Sequence, residues 1–496
     1  MQLESNKQHF SIDNLLNSSI LTILLNGVLS QAAYYLIIVF ALYQEQYILT
    51  SFKGYSYIEN FVKIFPIMFL VSYEIPEFFE QYFANKKMAT YATGESVQDI
   101  NRQEFATNCI VAIILLAIPA AQPAIFSILH VDGEYRAMFL LSTVLGIIGP
   151  FKSTVYSVFS LKQNYVYIMA GKMVTLMIHF FLFTFIYSFN TRKESINTWP
   201  SGFAKPMTDI VVHVVMLVVL YRGSIFSTKI NLDADQSARF SLKPQKKDWK
   251  EIGKNLLAFF QYLVFFVSRP VVYFFLAYKI SNIQNVQKRQ KVMLDFYIYT
   301  LIQQSYSLVA KGIHSALMTI VPPLFYQKQY GKMRNIFLGV AIFGFCYNEL
   351  ISLVVVLEPN AIFMLVMSKL DPIILNYKTQ NYHKELLKHT MFLLGTEVLQ
   401  HVSTSFAYLS KKHYVLFVMG SLRMIGGIYM TVQMSNALGQ NADYTDVYFF
   451  FELLCLIIAA AFMLQAFASM FLELKNGPKE VEKKKTEVKH DEFMVQ

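Results

Sequence analysis

Glu397, Gln400 and His401 stand at spacings of three and four within the apolar run MFLLGTEVLQHVSTSFAYL (391–409), so on a helix they share one face. A carboxylate and an imidazole held together inside a bilayer are groups that can take up and release a proton near neutral pH. That makes Glu397 with His401 a candidate proton-carrying pair. Glu74, Glu77 and Gln81 form a second set in VSYEIPEFFEQYF (71–83), where Pro76 is expected to kink the helix and free a backbone carbonyl beside the acids. Carboxylates this close repel one another, so one of them must be protonated or hold a cation. The set is a candidate site for a coupling cation or a cationic substrate, while Glu80 reads as interfacial. Arg269 precedes Pro270 in FFQYLVFFVSRPVVYFFLAYK (259–279), where its guanidinium must face a cleft or pair with a carboxylate.

Each of these charges lies in a stretch apolar enough to enter a bilayer, where insertion costs about 2.5–3.5 kcal/mol per charge. Lys311 is a further candidate partner for a carboxylate. Glu349 and Glu452 are acids with no evident local partner, and Lys172, His179 and His213 read as helix-end or packing residues. Enzyme chemistry finds little support: there is no Gly-rich phosphate loop, no Cys/His cluster at metal spacing and no His-Glu-x-x-His. Cys109, Cys346 and Cys455 all fall inside apolar runs and imply no disulfide framework. No catalytic residue, metal site or cofactor is expected, apart from a coupling H⁺ or Na⁺.

The elements that must position these residues are twelve apolar stretches: 18–43, 58–83, 104–130, 136–160, 164–190, 202–222, 252–280, 293–324, 333–368, 386–410, 413–436 and 445–474. Each approaches or exceeds the roughly 20 residues that span a hydrocarbon core as a helix, and none shows the short alternating pattern of a membrane β-strand. A basic, Pro-containing linker divides the runs into two sets of six. The expected fold is therefore an all-α polytopic membrane protein with two pseudo-symmetric six-helix bundles, residues 1–222 and 252–474. Residues 223–251 form the linker, and residues 475–496 a charge-mixed tail with little to bury.

The composition agrees: 55% of the 496 residues are hydrophobic and only 15% charged, against roughly 25% charged in soluble domains. The formal net charge of +10 does not point to nucleic acid. Its basic residues concentrate in the linker, in Lys86 and Lys87, in Lys328, Lys332 and Arg334, in Lys411 and Lys412, and in the tail. These positions fall on one side of the bilayer, so the positive-inside rule places both termini in the cytoplasm. The N-terminus lacks the pattern of a cleaved signal peptide, and the first span reads as an uncleaved anchor. The ATP-binding domain of a pump would not fit in the loops.

The two sets echo one another. EQYFANKKMATYA (80–92) after the second run parallels PLFYQKQYGKMRN (323–335) after the eighth, and YSVFSLKQNYVYIMAGK (156–172) parallels FAYLSKKHYVLFVMGSLR (406–423). Both pairs share one sequence offset, which implies duplication. At Gln81-Tyr82-Phe83-Ala84-Asn85, Phe159-Ser160-Leu161-Lys162-Gln163 and Leu399-Gln400-His401-Val402-Ser403 the chain resembles the multidrug and toxic compound extrusion (MATE) transporters, and span order and loop lengths extend the resemblance over nearly the whole chain. The resemblance implies two six-helix bundles facing across a central cleft, with export coupled to inward H⁺ or Na⁺ flow. The chain departs from the family at its coupling acids. Ser268 and Tyr273 fall where eukaryotic members carry glutamates on the seventh span, and the first span offers Asn26, Ser30 and Gln31 in place of the prokaryotic aspartate.

The expected function is a MATE-like antiporter exporting organic cations, xenobiotics or metabolites by alternating access. It would act as a monomer in the plasma membrane or an endomembrane, on a small-molecule substrate, with no nucleic-acid partner. Its expected substrate- and ion-coupling residues are Glu397, His401, Gln400, Glu74, Glu77, Arg269 and Tyr273. Two alternatives keep the fold: a lipid or lipid-linked-sugar flippase using Arg269 and Lys311, or a membrane component that does not transport.

Overall fold

A computed structural model describes residues 54–92, 97–155, 207–216, 244–326, 329–357, 397–409, 412–438 and 446–469, with single residues between 170 and 185 and at 218 and 393. The first expected span, most of the fifth, the greater part of the linker and the tail lie outside the described residues, as do Asn26, Ser30, Gln31, Lys172 and His179. Among the described residues the secondary structure is helical throughout, as the apolar runs imply.

Before the linker come α1 (Gly54–Phe69), α2 (Ile75–Ala92), α3 (Gln98–Leu115), α4 (Gln122–Leu129), α5 (Arg136–Gly146) and α6 (Met207–Met216). After it come α7 (Asp248–Ser281), α8 (Val286–Tyr326), α9 (Tyr330–Leu357), α10 (Glu397–Leu409), α11 (His413–Leu438) and α12 (Asp446–Ser469). Among the described residues five stretches are long and apolar enough to cross a membrane: Asp99–Ala120, Gly133–Val155, Asp248–Ser281, His413–Met434 and Asp446–Ser469. α1–α2 and α8 are not among them, because they carry interior polar residues such as Glu74, Gln303 and Lys311. Large apolar side chains point outward along the spans, among them Phe181, Leu257, Phe343, Ile425 and Leu464. In water such a belt would be an aggregation surface, whereas in a bilayer it is the lipid-facing surface.

Two expected spans are broken. The run 104–130 divides at Leu116 and Ala121 around a short turn containing Pro119, and the run from 136 passes through a 3₁₀ turn at Gly149–Phe151 containing Pro150. The expected kink near Pro76 takes a specific form: a π-helical turn, Leu70–Glu74, joins α1 to α2. Pro76 has no N–H to offer the helix ladder, and a π turn re-routes the ladder just before it. Gly149 packs there so closely that a Cβ would stand 2.3 Å from the Pro76 ring.

After the linker, α7 lies along α11 and α8 along α10. α7 also reaches across to α1 and α3, and α8 to α1 and α2, so the two halves meet along these helices. At Gly420 a Cβ would lie 2.5 Å from the Phe265 backbone; only a residue without a side chain lets α11 approach α7 this closely. Two apolar clusters bracket the middle of the interface. One includes Phe61, Phe139, Leu276 and Phe296, and the other Phe78, Phe79, Phe259 and Tyr262.

Candidate functional site: a charged cavity between the halves

Between the two clusters lies a cavity. Among the described residues, half of the wall from the N-terminal half is aromatic, with Phe61, Phe65 and Phe69, and its single charge is Glu74. The wall from the C-terminal half carries Arg269, Gln303, Lys311, Glu397, Gln400, His401 and Arg423. Glu397, Arg269 and Glu74, singled out separately from the sequence, therefore face one space, and Gln400, His401 and Tyr273 line it with them.

α7 aims Arg269 across the cavity floor toward α12. Its two terminal nitrogens donate to the two oxygens of Glu452 at 2.5 and 3.2 Å, and one also donates to Tyr273 Oη at 3.0 Å. Tyr299 donates to the same carboxylate, and Tyr273 Oη lies 3.4 Å from Tyr299 Oη. A two-toothed arginine–carboxylate fork is the strongest ion-pair geometry available to a protein. Glu452 thus has its partner 183 residues away in sequence, a distance at which local spacing carries no signal.

The π turn presents Glu74 to Lys311 of α8, and the two form an ion pair that bridges the halves inside the cavity. The Lys311 ammonium also sits 4.6 Å from the Phe69 ring centre and 5.1 Å from that of Tyr73, where the negative ring faces favour a cation. The expected grouping of Glu74 with Glu77 and Gln81 does not form around the cavity. Glu77 accepts from Gln81 Nε2 at 3.0 Å and does not line the cavity. The π turn shifts the angular register between α1 and α2, so spacings read on a regular helix no longer place residues 74 and 77 on one face.

Glu397 opens the described part of α10 and is buried. Gln303 Nε2 of α8 donates to both of its carboxylate oxygens, at 3.0 and 3.1 Å. Its nearest cation is Arg269 at 3.9 Å, whose fork is already filled by Glu452. His401 lies on the cavity wall but does not bond to Glu397. Its ring faces that of His314 at 5.8 Å, and His314 Nδ1 is 2.5 Å from Ser405 Oγ. Among the described residues the hydrogen-bond partner of Glu397 is therefore a neutral amide.

Arg423 of α11 was passed over in the sequence, although it is a charge within an expected span, the same signal that singled out Arg269. Its Nε donates to Ser268 Oγ at 2.7 Å, its Nη1 to Gln400 Oε1 at 2.8 Å and its Nη2 to the Phe265 carbonyl at 2.6 Å. The guanidinium also lies 4.5 Å from the centre of the Phe265 ring. The close approach of α11 to α7 at Gly420 makes these contacts possible.

Toward the linker the halves are held together again. Phe78 packs on Tyr262 and Tyr408, with ring centres 4.4 and 5.9 Å apart. Beyond this plug, Asp248 at the start of α7 accepts from Arg102 Nε at 3.1 Å and Gln103 Nε2 at 3.3 Å, both on α3. Asn255 Oδ1 accepts from Tyr82 at 3.1 Å and Lys86 at 2.8 Å, while Lys247 pairs with Asp99 at 2.7 Å.

No family sequence model matches the chain, and no curated protein matches it by sequence. Solved structures do match. An outward-facing multidrug resistance MATE family transporter of the MOP superfamily superposes with a TM-score of 0.69 at 12% identity, over 93% of this chain and 98% of that one. The inward-facing conformation of such a transporter gives 0.58 at 12% identity, over 90% and 99%. A MOP superfamily transporter from Pyrococcus furiosus, described as having a binding pocket of reversed polarity, gives 0.68 at 12% identity, over 92% and 96%. Sequences this distant leave only architecture in common, and in architecture this chain has the fold of the MATE transporters of the MOP superfamily.

Proposed function

We propose that this chain is a secondary active transporter that exports an organic molecule bearing a cationic group, in exchange for H⁺ or Na⁺, by alternating access between its halves. The observation that carries this reading is Glu397: a buried carboxylate facing a cavity between the halves, bonded to a neutral amide and, among the described residues, sharing its nearest cation, Arg269 at 3.9 Å, with Glu452. A carboxylate in that position accepts a proton, a sodium ion or the cationic end of a cargo, one at a time. Competition for one acid couples the two flows. The cargo's apolar body lies against Phe61, Phe65 and Phe69. Separation of the halves then requires breaking the Lys311–Glu74 pair and, on the linker side, the contacts of Asp248 and Asn255.

The test is efflux of a fluorescent aromatic cation from proteoliposomes under an imposed pH or Na⁺ gradient. Glu397→Gln is expected to abolish gradient-driven efflux while leaving the yield of folded protein unchanged, and whichever gradient drives the wild type identifies the coupling ion. Unaltered efflux in the variant would exclude Glu397 as the coupling acid.

A flippase for anionic lipids is the second reading, suggested by the three cations Arg269, Lys311 and Arg423 at the cavity. Two of them are already joined to carboxylates, so among the described residues the wall offers a lipid phosphate only one guanidinium without an acid beside it.

A further inference from the structure

Pairing the cavity charges leaves two over. Lys311 goes with Glu74 and Arg269 with Glu452. Among the described residues Glu397 and Arg423 remain, one negative and one positive, each buried and each hydrogen-bonded to neutral groups: Gln303 for the acid, which has only a share of Arg269 at 3.9 Å, and Ser268, Gln400 and the Phe265 carbonyl for the base. Both line the same cavity. Gln400 links them in space, since it lies one helical turn beyond Glu397 on α10 and its oxygen contacts Arg423. Residues so spaced on a helix have Cβ atoms about 5–6 Å apart.

We infer that the cavity is built for an amphoteric cargo, a molecule with a cationic group that meets Glu397 and an anionic group that meets Arg423. The inference rests on the transporter reading above and names its substrate class. Three of the five guanidinium N–H donors of Arg423 are used by neutral acceptors, so two remain for a carboxylate, sulfonate or phosphate oxygen. A purely cationic cargo at Glu397 leaves the buried Arg423 charge uncompensated beside it, and a purely anionic one at Arg423 faces the Glu397 carboxylate. A zwitterion satisfies both, and it enters with its own charges already balanced. Exchange follows: a proton on Glu397 replaces the cargo's cationic end, while Arg423, which keeps its charge throughout, releases the anionic end once its counterpart has lost its hold.

Three probes with the same phenylalkyl body test this on the purified full chain in detergent: a trimethylammonium, a sulfonate and a sulfobetaine, their affinities measured by calorimetry. The sulfobetaine is expected to bind about tenfold or more tightly than either single-charge probe. Arg423→Gln should bring it down to the level of the trimethylammonium, Arg423→Lys should retain part of the advantage, and Glu397→Gln should bring it down to the level of the sulfonate. Equal binding of the trimethylammonium and the sulfobetaine, no binding of any probe, or an unchanged ranking in Arg423→Gln would overturn the inference. If Arg423→Gln does not fold, the wild-type ranking decides alone. Sulfobetaine preference without flux in proteoliposomes would leave this inference standing and remove the transporter reading. Flux of the trimethylammonium without sulfobetaine preference would do the reverse.

Discussion

The cavity and the linker-side clamp both join the N-terminal half to the C-terminal half, and they do so with opposite economies of charge. Inside the cavity, among the described residues, a single ion pair, Lys311–Glu74, crosses the seam, with both side chains about nine-tenths buried. At the clamp the crossing is distributed over Arg102, Gln103, Asp248, Asn255, Tyr82, Lys86, Asp99 and Lys247, and parts of it are wet, with the Lys247 side chain 61% exposed. A buried pair is costly to break on one side only, because the remaining charge has no water to receive it. A distributed, partly hydrated set can be exchanged for water one bond at a time. The seam is therefore brittle at its centre and graded at its linker end.

That contrast can be broken by mutation in order of effect. Lys311→Met should be the most damaging, leaving Glu74 buried without its cation and costing about 3–5 kcal/mol; thermal unfolding in detergent measures it. The double variant Lys311→Met/Glu74→Gln should recover most of the loss, and failure to recover would show that the pair is not the source. Asp248→Asn comes next. It weakens the bonds from Arg102 and Gln103 and that from the Gln245 N–H, at about 1–3 kcal/mol. A cysteine at Thr107 should then label faster with a membrane-impermeant maleimide, and an unchanged labelling rate would mean that the clamp does not hold this end shut. Lys247→Ala should be smallest, under about 1 kcal/mol for an exposed pair, and its effect should vanish in 1 M salt, where charges are screened within about 3 Å.

Much of this arrangement is legible in the amino-acid sequence. Runs of apolar residues declare helices that cross a bilayer, and charges interrupting such runs must face the interior, so Glu74, Arg269 and Glu397 could be singled out from one chain alone. Pairing was not legible. Arg269 meets Glu452 and Lys311 meets Glu74 across 183 and 237 residues, and helical spacing relates only neighbours within a turn or two. The same limit explains why His401, four residues from Glu397, read as its partner when Gln303 of another helix holds that place. Glu77 was misplaced for a different reason: the π turn before Pro76 alters the angular count on which the shared face depended. Arg423 stood in plain view inside an apolar run. Its importance rests on the neutrality of its neighbours, which only the packing of α11 on α7 reveals.

Gly420 has a mechanical consequence. By letting α11 rest against the α7 backbone, it welds two helices of the C-terminal half into one beam, and every hydrogen bond of Arg423 to Ser268 and Phe265 lies within that beam. Under the alternating access proposed above, motion of one half against the other would part Lys311 from Glu74 but carry Arg423 along with its local supports. The molecule thus holds one cavity charge in a mount internal to one half and another in a coupling between the halves, so that, under the exchange proposed above, a hold on a cargo's anionic end would not depend on the seam staying closed.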